Sequence, residues 1–327
     1  MDVDGMAVAM QTARGGRETL APARLPLPEP GPDQILVRVH RAAVNFTDER
    51  ACRTGLNHLS GRVEDLPFLP GGEIAGTRVD TGEAVVALSG SGGFAQYAAV
   101  AESAAHPVPA GLDAESALSV FVPGLTAGLL LEVAEPDKGD AVVVSGATGA
   151  VGTLLLRLLA ARGQRHVVAV ASPTVSEQRL RALGATAVLR FDDDLEPALR
   201  QAAGDAPIGL VLDSMGGPAL EAGVAVLGRH GTLVSYGSSS DVPATVTPRA
   251  LIPGSRTVTG FWLLDHLDRR ERVSGILTDL FRDVLAGEIR PDRPQVFGLP
   301  EVQTALAATA ERGRTGRVLI DPWRDET

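Results

Sequence analysis

From Gln34 to Val44, the residues Ile35, Val37 and Val39 alternate with Leu36, Arg38 and His40, a period of two that fits a strand with one buried face. Glycine and proline interrupt the first third of the chain repeatedly, at Pro26 to Pro32, Pro70-Gly71-Gly72 and Gly90 to Gly93. Short strands joined by tight turns are the expected result, in an irregular and mostly antiparallel domain. The texture changes near Ser116, where a helical stretch runs through Leu131 and leads to the unbroken apolar run Ala141 to Ser145. Such a run fits a strand buried on both faces of a parallel sheet. A regular alternation follows: helix 149–162, strand 166–171, helix 176–183, strand 187–191, helix 195–203, strand 208–212, helix 218–227, strand 231–236 and strand 257–261. This spacing predicts a doubly wound α/β sheet. Beyond it lie helical periodicity from about Asp265 to Leu285, a helix 301–310 and a closing strand 317–320. If that strand returns to the first domain, the α/β unit is an insertion within it.

The 327 residues suggest two domains at roughly 150 residues each. Forty acidic against 30 basic side chains give a net charge of −10 without a basic cluster, which argues against a nucleic-acid partner. Cys52 is the only cysteine, so no internal disulfide or thiolate cluster can form, and a reducing cytoplasm is expected. Its expected role is that of a small buried residue. Lys138 is the only lysine, and its setting, Pro136-Asp137-Lys138-Gly139-Asp140, reads as an exposed turn. The start, Met1 to Gly5, lacks the features of a secretory signal. The most apolar stretch, Val120 to Leu131, is broken by Pro123, Gly124 and Gly128 and is expected to fall short of the ~20 residues of a membrane span. The histidines His40, His58, His106, His166, His230 and His266 show no close pairing on a helical face and are expected to be structural or solvated.

The segment that carries chemistry is Ser145-Gly146-Ala147-Thr148-Gly149-Ala150-Val151-Gly152, followed by a leucine-rich helix. Its spacing, G-x-x-G-x-x-G, lengthens the first interval of the dinucleotide fingerprint by one residue. Small residues let the backbone approach a pyrophosphate, and the unpaired N–H groups of the following helix stabilise its charge. An ordinary strand-to-helix turn is the plainer alternative. Its position on the first strand of the alternation favours the dinucleotide reading. The next strand ends Ala171-Ser172-Pro173-Thr174 without the acid that marks NAD. NADPH is therefore expected over NADH. Ser172 and Thr174 can donate to a 2′-phosphate, and Arg179 or Arg190 can supply charge, with surface solvation the alternative for both arginines.

The ordered set Asn45-Phe46-Thr47-Asp48, Pro70-Gly71-Gly72-Glu73-Ile74-Ala75-Gly76, Gly92-Gly93-Phe94-Ala95-Gln96-Tyr97, Gly124-Leu125-Thr126-Ala127, the glycine motif, Asp213-Ser214-Met215-Gly216-Gly217, Tyr236-Gly237 and Thr315-Gly316-Arg317 spans almost the whole chain. It resembles the medium-chain dehydrogenase/reductase superfamily, in its zinc-independent quinone oxidoreductase, or zeta-crystallin-like, branch. The resemblance implies a Rossmann doubly wound parallel sheet, residues 121–261, inserted in a mostly antiparallel GroES-like catalytic domain, residues 1–120 plus 262–327, with the cofactor in the cleft. It implies cofactor contacts from Asn45 and Thr126 near the nicotinamide, and from Gly149, Ala150 and Val151 at the pyrophosphate. Ser172 falls near the adenosine phosphate; Ser214, Tyr236, Gly237 and Ser238 lie along the cofactor edge. Phe261 and Leu263 flank the nicotinamide, and Arg317 replaces a frequent lysine. The lysine that commonly holds the 2′-phosphate aligns with Ser176, and a usual tyrosine with Phe191. Zinc relatives carry cysteine at position 45 and histidine at 72, where this chain has Asn45 and Gly72, so no metal is expected. Arg50 stands near the position of a frequent tyrosine. It, or water, is expected to assist a developing oxyanion while Asn45 positions the reactants. An ion pair of Arg50 with Asp48 or Glu49 is the alternative.

The implied activity is NADPH-dependent hydride transfer to a quinone or α,β-unsaturated carbonyl. A specialised biosynthetic reductase or cyclase, and a non-catalytic NADPH-binding protein, remain open. A homodimer is the family expectation. Trp262 is read either as an apolar wall of the substrate pocket or as core, and Tyr97 as a packing residue.

Overall fold

The computed structural model describes residues 5–57, 61–191, 194–311 and 313–324. His58 and the first four residues fall outside that set. The chain divides into two compact units, one running to Val122 and resuming at Ser274, the other Pro123–Val273.

The first unit opens with the hairpin β1 (Met6–Gln11) and β2 (Leu20–Leu25). The predicted alternating strand is β3 (Gln34–Val44), with Val37 and Val39 fully buried. Helix α1 (Phe46–Thr54) follows and ends at Gly55, whose φ of 77° is the left-handed cap a glycine tolerates. A two-residue hairpin, β4 (Leu56–Asn57) and β5 (Arg62–Val63), precedes β6 (Glu73–Arg78), β7 (Ala84–Leu88), β8 (Tyr97–Ala101) and β9 (Ala105–Pro107). β3 pairs with β6 and β8, β6 with β7, and β7 with β9, all antiparallel.

Helix α2 (Ala114–Val133) corrects one expectation. Pro123 and its neighbouring glycines do not end it, and it runs 20 residues. Among the described residues it is the one helix long and apolar enough to cross a membrane, yet 72% of its most apolar window is buried, as in a core helix.

The second unit follows the predicted alternation closely. Its strands are β10 (Ala141–Ser145), β11 (His166–Ala171), β12 (Ala187–Arg190), β13 (Ile208–Asp213), β14 (Thr232–Ser235) and β15 (Thr257–Gly260). Its helices are α3 (Ala150–Ala161), α4 (Glu177–Ala182), α5 (Leu195–Ala203), α6 (Gly217–Val226) and a short α7 (Pro248–Leu251). All pairings are parallel, in the order β12-β11-β10-β13-β14-β15. Every residue of β10 is buried, which accounts for its unbroken apolar run. The strand order reverses at β10, so the crevice beyond the carboxyl ends of β10 and β13 is the topological switch point where α/β sheets bind ligands. Lys138 is an exposed turn residue, as expected.

The last segment departs from its predicted limits at one end. Residues Leu263–His266 form a 3-10 turn, and α8 (Arg270–Leu285) begins only after it. Then come β16 (Gln295–Gly298), α9 (Val302–Thr309) and β17 (Val318–Asp321). β17 pairs antiparallel with β3, so the closing strand does return to the first sheet. There Trp323 meets Tyr97 edge-on at 5.7 Å and lies 4.2 Å beneath the Arg38 guanidinium.

Candidate functional site

In the second unit the glycine motif is the turn between β10 and α3. Gly146 has φ 67°, and a Cβ there would strike the Ser214 hydroxyl. A Cβ on Gly152 would strike the carbonyl oxygen of Gly146 and lie 2.7 Å from the Ala147 Cα, so only glycine lets α3 pack this close to its strand. Gly149 is the N-cap, the first turn of α3 carries no acid, and Gly149 and Ala150 are exposed. The first N–H groups of a helix have no partner within it, so those of Ala150, Val151 and Gly152 form an open donor set for an anion.

Register places the ends of β10, β13 and β14 side by side, with Val144 opposite Leu212 and Asp213 opposite Ser235. Buried Asp213 organises this edge. Its carboxylate accepts from the Ser145 hydroxyl, from Gly216 N–H at 2.9 Å and from Met215 N–H at 3.3 Å. The Ser214 hydroxyl donates to the Ser145 carbonyl at 3.2 Å. Ser239 donates its N–H and hydroxyl to the Ser214 carbonyl, both at 3.1 Å. Gly237 approaches so closely that a Cβ would lie 2.9 Å from that same oxygen. Burial raises the Tyr236 phenol above its ordinary range; Ser214 opposes the rise and Asp213 adds to it. The predicted residues Ser214, Tyr236, Gly237 and Ser238 thus share one rim with the glycine turn.

Ser172 and Thr174 bond hydroxyl to hydroxyl at 2.9 Å in the loop after β11. Arg190, opposite Ala171 in the register, donates to the carbonyls of Ser172 at 3.0 Å and Val175 at 2.9 Å. Its guanidinium is therefore held at this loop, whereas Ser176 caps α4 by accepting from Arg179 N–H. Thr126 lies buried in α2. Phe261 is 8% exposed and stacks on His266 with centroids 4.7 Å apart, and Leu263 is also buried. Trp262, at 46% exposure, is not a core residue.

A different kind of cluster occupies the first unit. Asn45 and Arg317 flank the ends of β3 and β17, which face each other because Val44 pairs with Val318. On the other side of β3, Ala43 pairs with Glu73. Arg317 donates to Glu73 Oε2 at 2.6 Å, to Asn45 Oδ1 at 3.0 Å and to the Leu118 carbonyl at 3.2 Å. Asn45 Nδ2 donates to Glu73 Oε2 at 3.2 Å, and Val122 N–H to Glu73 Oε1 at 3.3 Å. The side chains of Glu73 and Arg317 are 1% and 7% exposed. Asp48 turns inward and accepts from the Asn45 N–H at 2.7 Å. Burial pushes its carboxyl up to about 7; N–H donors from Asn45 and Gly71 work against the rise, and Glu73 with it.

Arg50 lies half-buried on α1, and Glu49 beside it pairs with Arg53 at 3.9 Å. Cys52 is fully buried, and burial together with Asp48 and Glu49 holds its thiol up to about 12, far from a nucleophile's range. Glu73, Asp48 and Asp213 were not singled out by sequence reasoning. For Glu73 and Asp213 the available signal was an acid at the end of an apolar strand, where a buried charge requires a partner; Asp48, in the first turn of α1, carried no such signal.

The two folds, an open parallel sheet with a glycine turn at its switch point and an antiparallel β domain completed by the last strand, define the class. The alcohol dehydrogenase GroES-like domain model matches residues 31–110, and the zinc-binding dehydrogenase model residues 150–281. Quinone oxidoreductase from Thermus thermophilus, solved also as its complex with NADPH, is 31% identical over 97% of this chain and 100% of that one, with a TM-score of 0.81. Escherichia coli quinone oxidoreductase complexed with NADPH is 26% identical at the same coverage, with a TM-score of 0.88. A probable quinone oxidoreductase of Schizosaccharomyces pombe is 28% identical over 305 residues, 90% of each chain. The chain belongs to the quinone oxidoreductase branch of the medium-chain dehydrogenase/reductase superfamily.

Proposed function

We propose that this protein is an NADPH-dependent oxidoreductase that passes hydride to a quinone or an α,β-unsaturated carbonyl without zinc. The observation that carries the reading is the turn at Gly146 to Gly152, packed too tightly for any Cβ at its last glycine and followed by a helix whose first N–H groups have no partner within it. That cradle fits a pyrophosphate. The relatives solved with NADPH support the choice of cofactor. So does the loop after β11, which sets two hydroxyls beside the Arg190 guanidinium.

When bound, the reduced nicotinamide supplies the hydride. On this proposal Gly149, Ala150 and Val151 bind the pyrophosphate, Ser172 and Arg190 the 2′-phosphate, and Ser214, Tyr236, Gly237 and Ser238 the cofactor edge. Thr126, Phe261, Leu263 and Asn45 orient the nicotinamide, with Arg317 close to Asn45. Arg50, or a water in its place, stabilises negative charge on the substrate oxygen. Zinc is left out because position 72 has no side chain and the Asn45 amide is already engaged by Arg317 and Glu73. The catalytic domain is assigned to residues 1–120 and 262–327 and the cofactor domain to 121–261. A cytoplasmic homodimer is part of the proposal; the exposed β15 at the edge of the parallel sheet offers a pairing edge.

Thermal-shift titration with NADPH and NADH tests the cofactor, since a ligand stabilises by RT ln(1 + [L]/Kd). A larger shift with NADPH is expected, and equal shifts would refute phosphate selection. Loss of nicotinamide absorbance over a panel of quinones and enones then tests the reaction. Binding without turnover anywhere on the panel would favour a non-catalytic role, and full kcat/KM in Arg50→Ala would leave the electrostatic help to water.

A further inference from the structure

We infer that the Glu73–Arg317 pair is a positioning device that fixes the orientation of the Asn45 side-chain amide. The inference rests on the functional reading above, which gives Asn45 its contact with the reactants.

An asparagine amide presents a donor end with two hydrogens and an acceptor end with two lone pairs. Here Oδ1 accepts from Arg317 at 3.0 Å while Nδ2 donates to Glu73 at 3.2 Å. Turning the amide by 180° would set NH2 against a guanidinium and oxygen against a carboxylate, two donors together and two acceptors together. One orientation is therefore strongly preferred. In it, one Nδ2 hydrogen remains for a ligand.

The partners are themselves immobile. Glu73 lies on the central strand pair β3–β6, and its second oxygen accepts from Val122 N–H at 3.3 Å. Arg317 is tied to the Leu118 carbonyl at 3.2 Å. The backbone of Asn45 is held separately by Asp48, through its N–H at 2.7 Å. An amide on a fixed backbone, between a fixed cation and a fixed anion, is preorganised, and a site so held spends no binding energy on ordering it. A pair that only balanced buried charge would not need to bracket the amide with opposite polarity at its two ends.

The test is a double-mutant cycle. Replacing Glu73 alone leaves a buried cation and risks the fold, so the pair is exchanged together as Glu73→Met with Arg317→Met. This is compared with Asn45→Ala and with all three changes combined. Three quantities are read: the Kd for NADPH from nicotinamide fluorescence, kcat on whichever quinone or enone wild type accepts, and the Asn45 side-chain NH2 resonances of the ligand-free protein. These resonances are assigned by their disappearance in Asn45→Ala.

We expect the paired exchange to weaken NADPH or lower kcat at least tenfold, and to move a dispersed NH2 pair that exchanges slowly with water to the shifts and fast solvent exchange of a mobile side chain. Adding it to Asn45→Ala should change neither constant by more than about twofold. Wild-type constants in the paired variant, or losses that multiply in the combined variant, would overturn the inference. Wild type that binds no NADPH would sink the functional reading itself. Wild type that binds it, with an amide equally ordered in the paired variant, would sink the positioning role alone.

Discussion

The two residue clusters are built from different materials. The rim at β10, β13 and β14 is mostly backbone: helix N–H groups, a turn only glycine permits, and carbonyls tied down by serine hydroxyls. The cluster around Asn45 is mostly side chain, drawn from the start of α1, from β6 and from the approach to β17, and it places two carboxyls and a guanidinium out of water. Backbone sites tolerate changes of side-chain chemistry but not of volume. Charged clusters tolerate small changes of shape but not the loss of one partner.

The sharpest way to break this contrast is to remove one charge. Arg317→Met leaves Glu73 buried without its cation, and should cost about 3–5 kcal/mol in a denaturant melt. Most of the loss should return when Glu73→Met is added, because an apolar pair of similar volume often replaces a buried ion pair without penalty. A single variant as stable as wild type would mean that water reaches the cluster.

The next effect is on pH dependence. Asp48 is raised to about 7 from an ordinary value of 3.8, so below pH ~4 both folded and unfolded chains keep its proton. As pH rises toward 7 the unfolded chain releases the proton and the folded chain retains it. The favourable contribution is thus lost across that window, at no more than about 1.4 kcal/mol per pH unit. Melting temperatures of Asp48→Asn measured alongside wild type should lack this decline, and parallel curves would contradict the burial of an uncharged carboxyl.

The smallest expected change belongs to the backbone rim. Gly152→Ala should cost about 1–3 kcal/mol through overpacking against Ala147 and the Gly146 carbonyl, together with weaker NADPH binding. A neutral result in melts and in cofactor titration would show that α3 can shift away from its strand.

The same contrast explains what could be read from the residues alone. The strands of the second unit lie close to their predicted limits, because short apolar runs between turns leave a local signature, most plainly at β10, where every residue is buried. The glycine turn was legible for the same reason, since all its parts lie within eight residues. Helix α2 ran past its expected interruption because Pro123 sits in a buried helix, where Glu73 accepts the neighbouring Val122 N–H and packing offsets the ring. The late start of α8 follows from the turn at Leu263–His266, whose apolar residues mimic helical periodicity. Glu73 could be recognised as an acid in need of a partner. That the partner is Arg317, 244 positions away, follows only from the pairing of β3 with both β6 and β17.

The return of β17 to β3 also orders events during synthesis. The second unit is one continuous stretch and has left the ribosome before β17 is made, so it can fold as its residues emerge. The first sheet must wait with the Ala42–Val44 end of β3 uncovered on one side, and with Glu73 lacking its guanidinium, until residues 317–321 arrive. A nascent chain stalled short of that point carries a finished nucleotide-type fold and an unfinished sheet edge, the state from which misassembly or chaperone capture would begin.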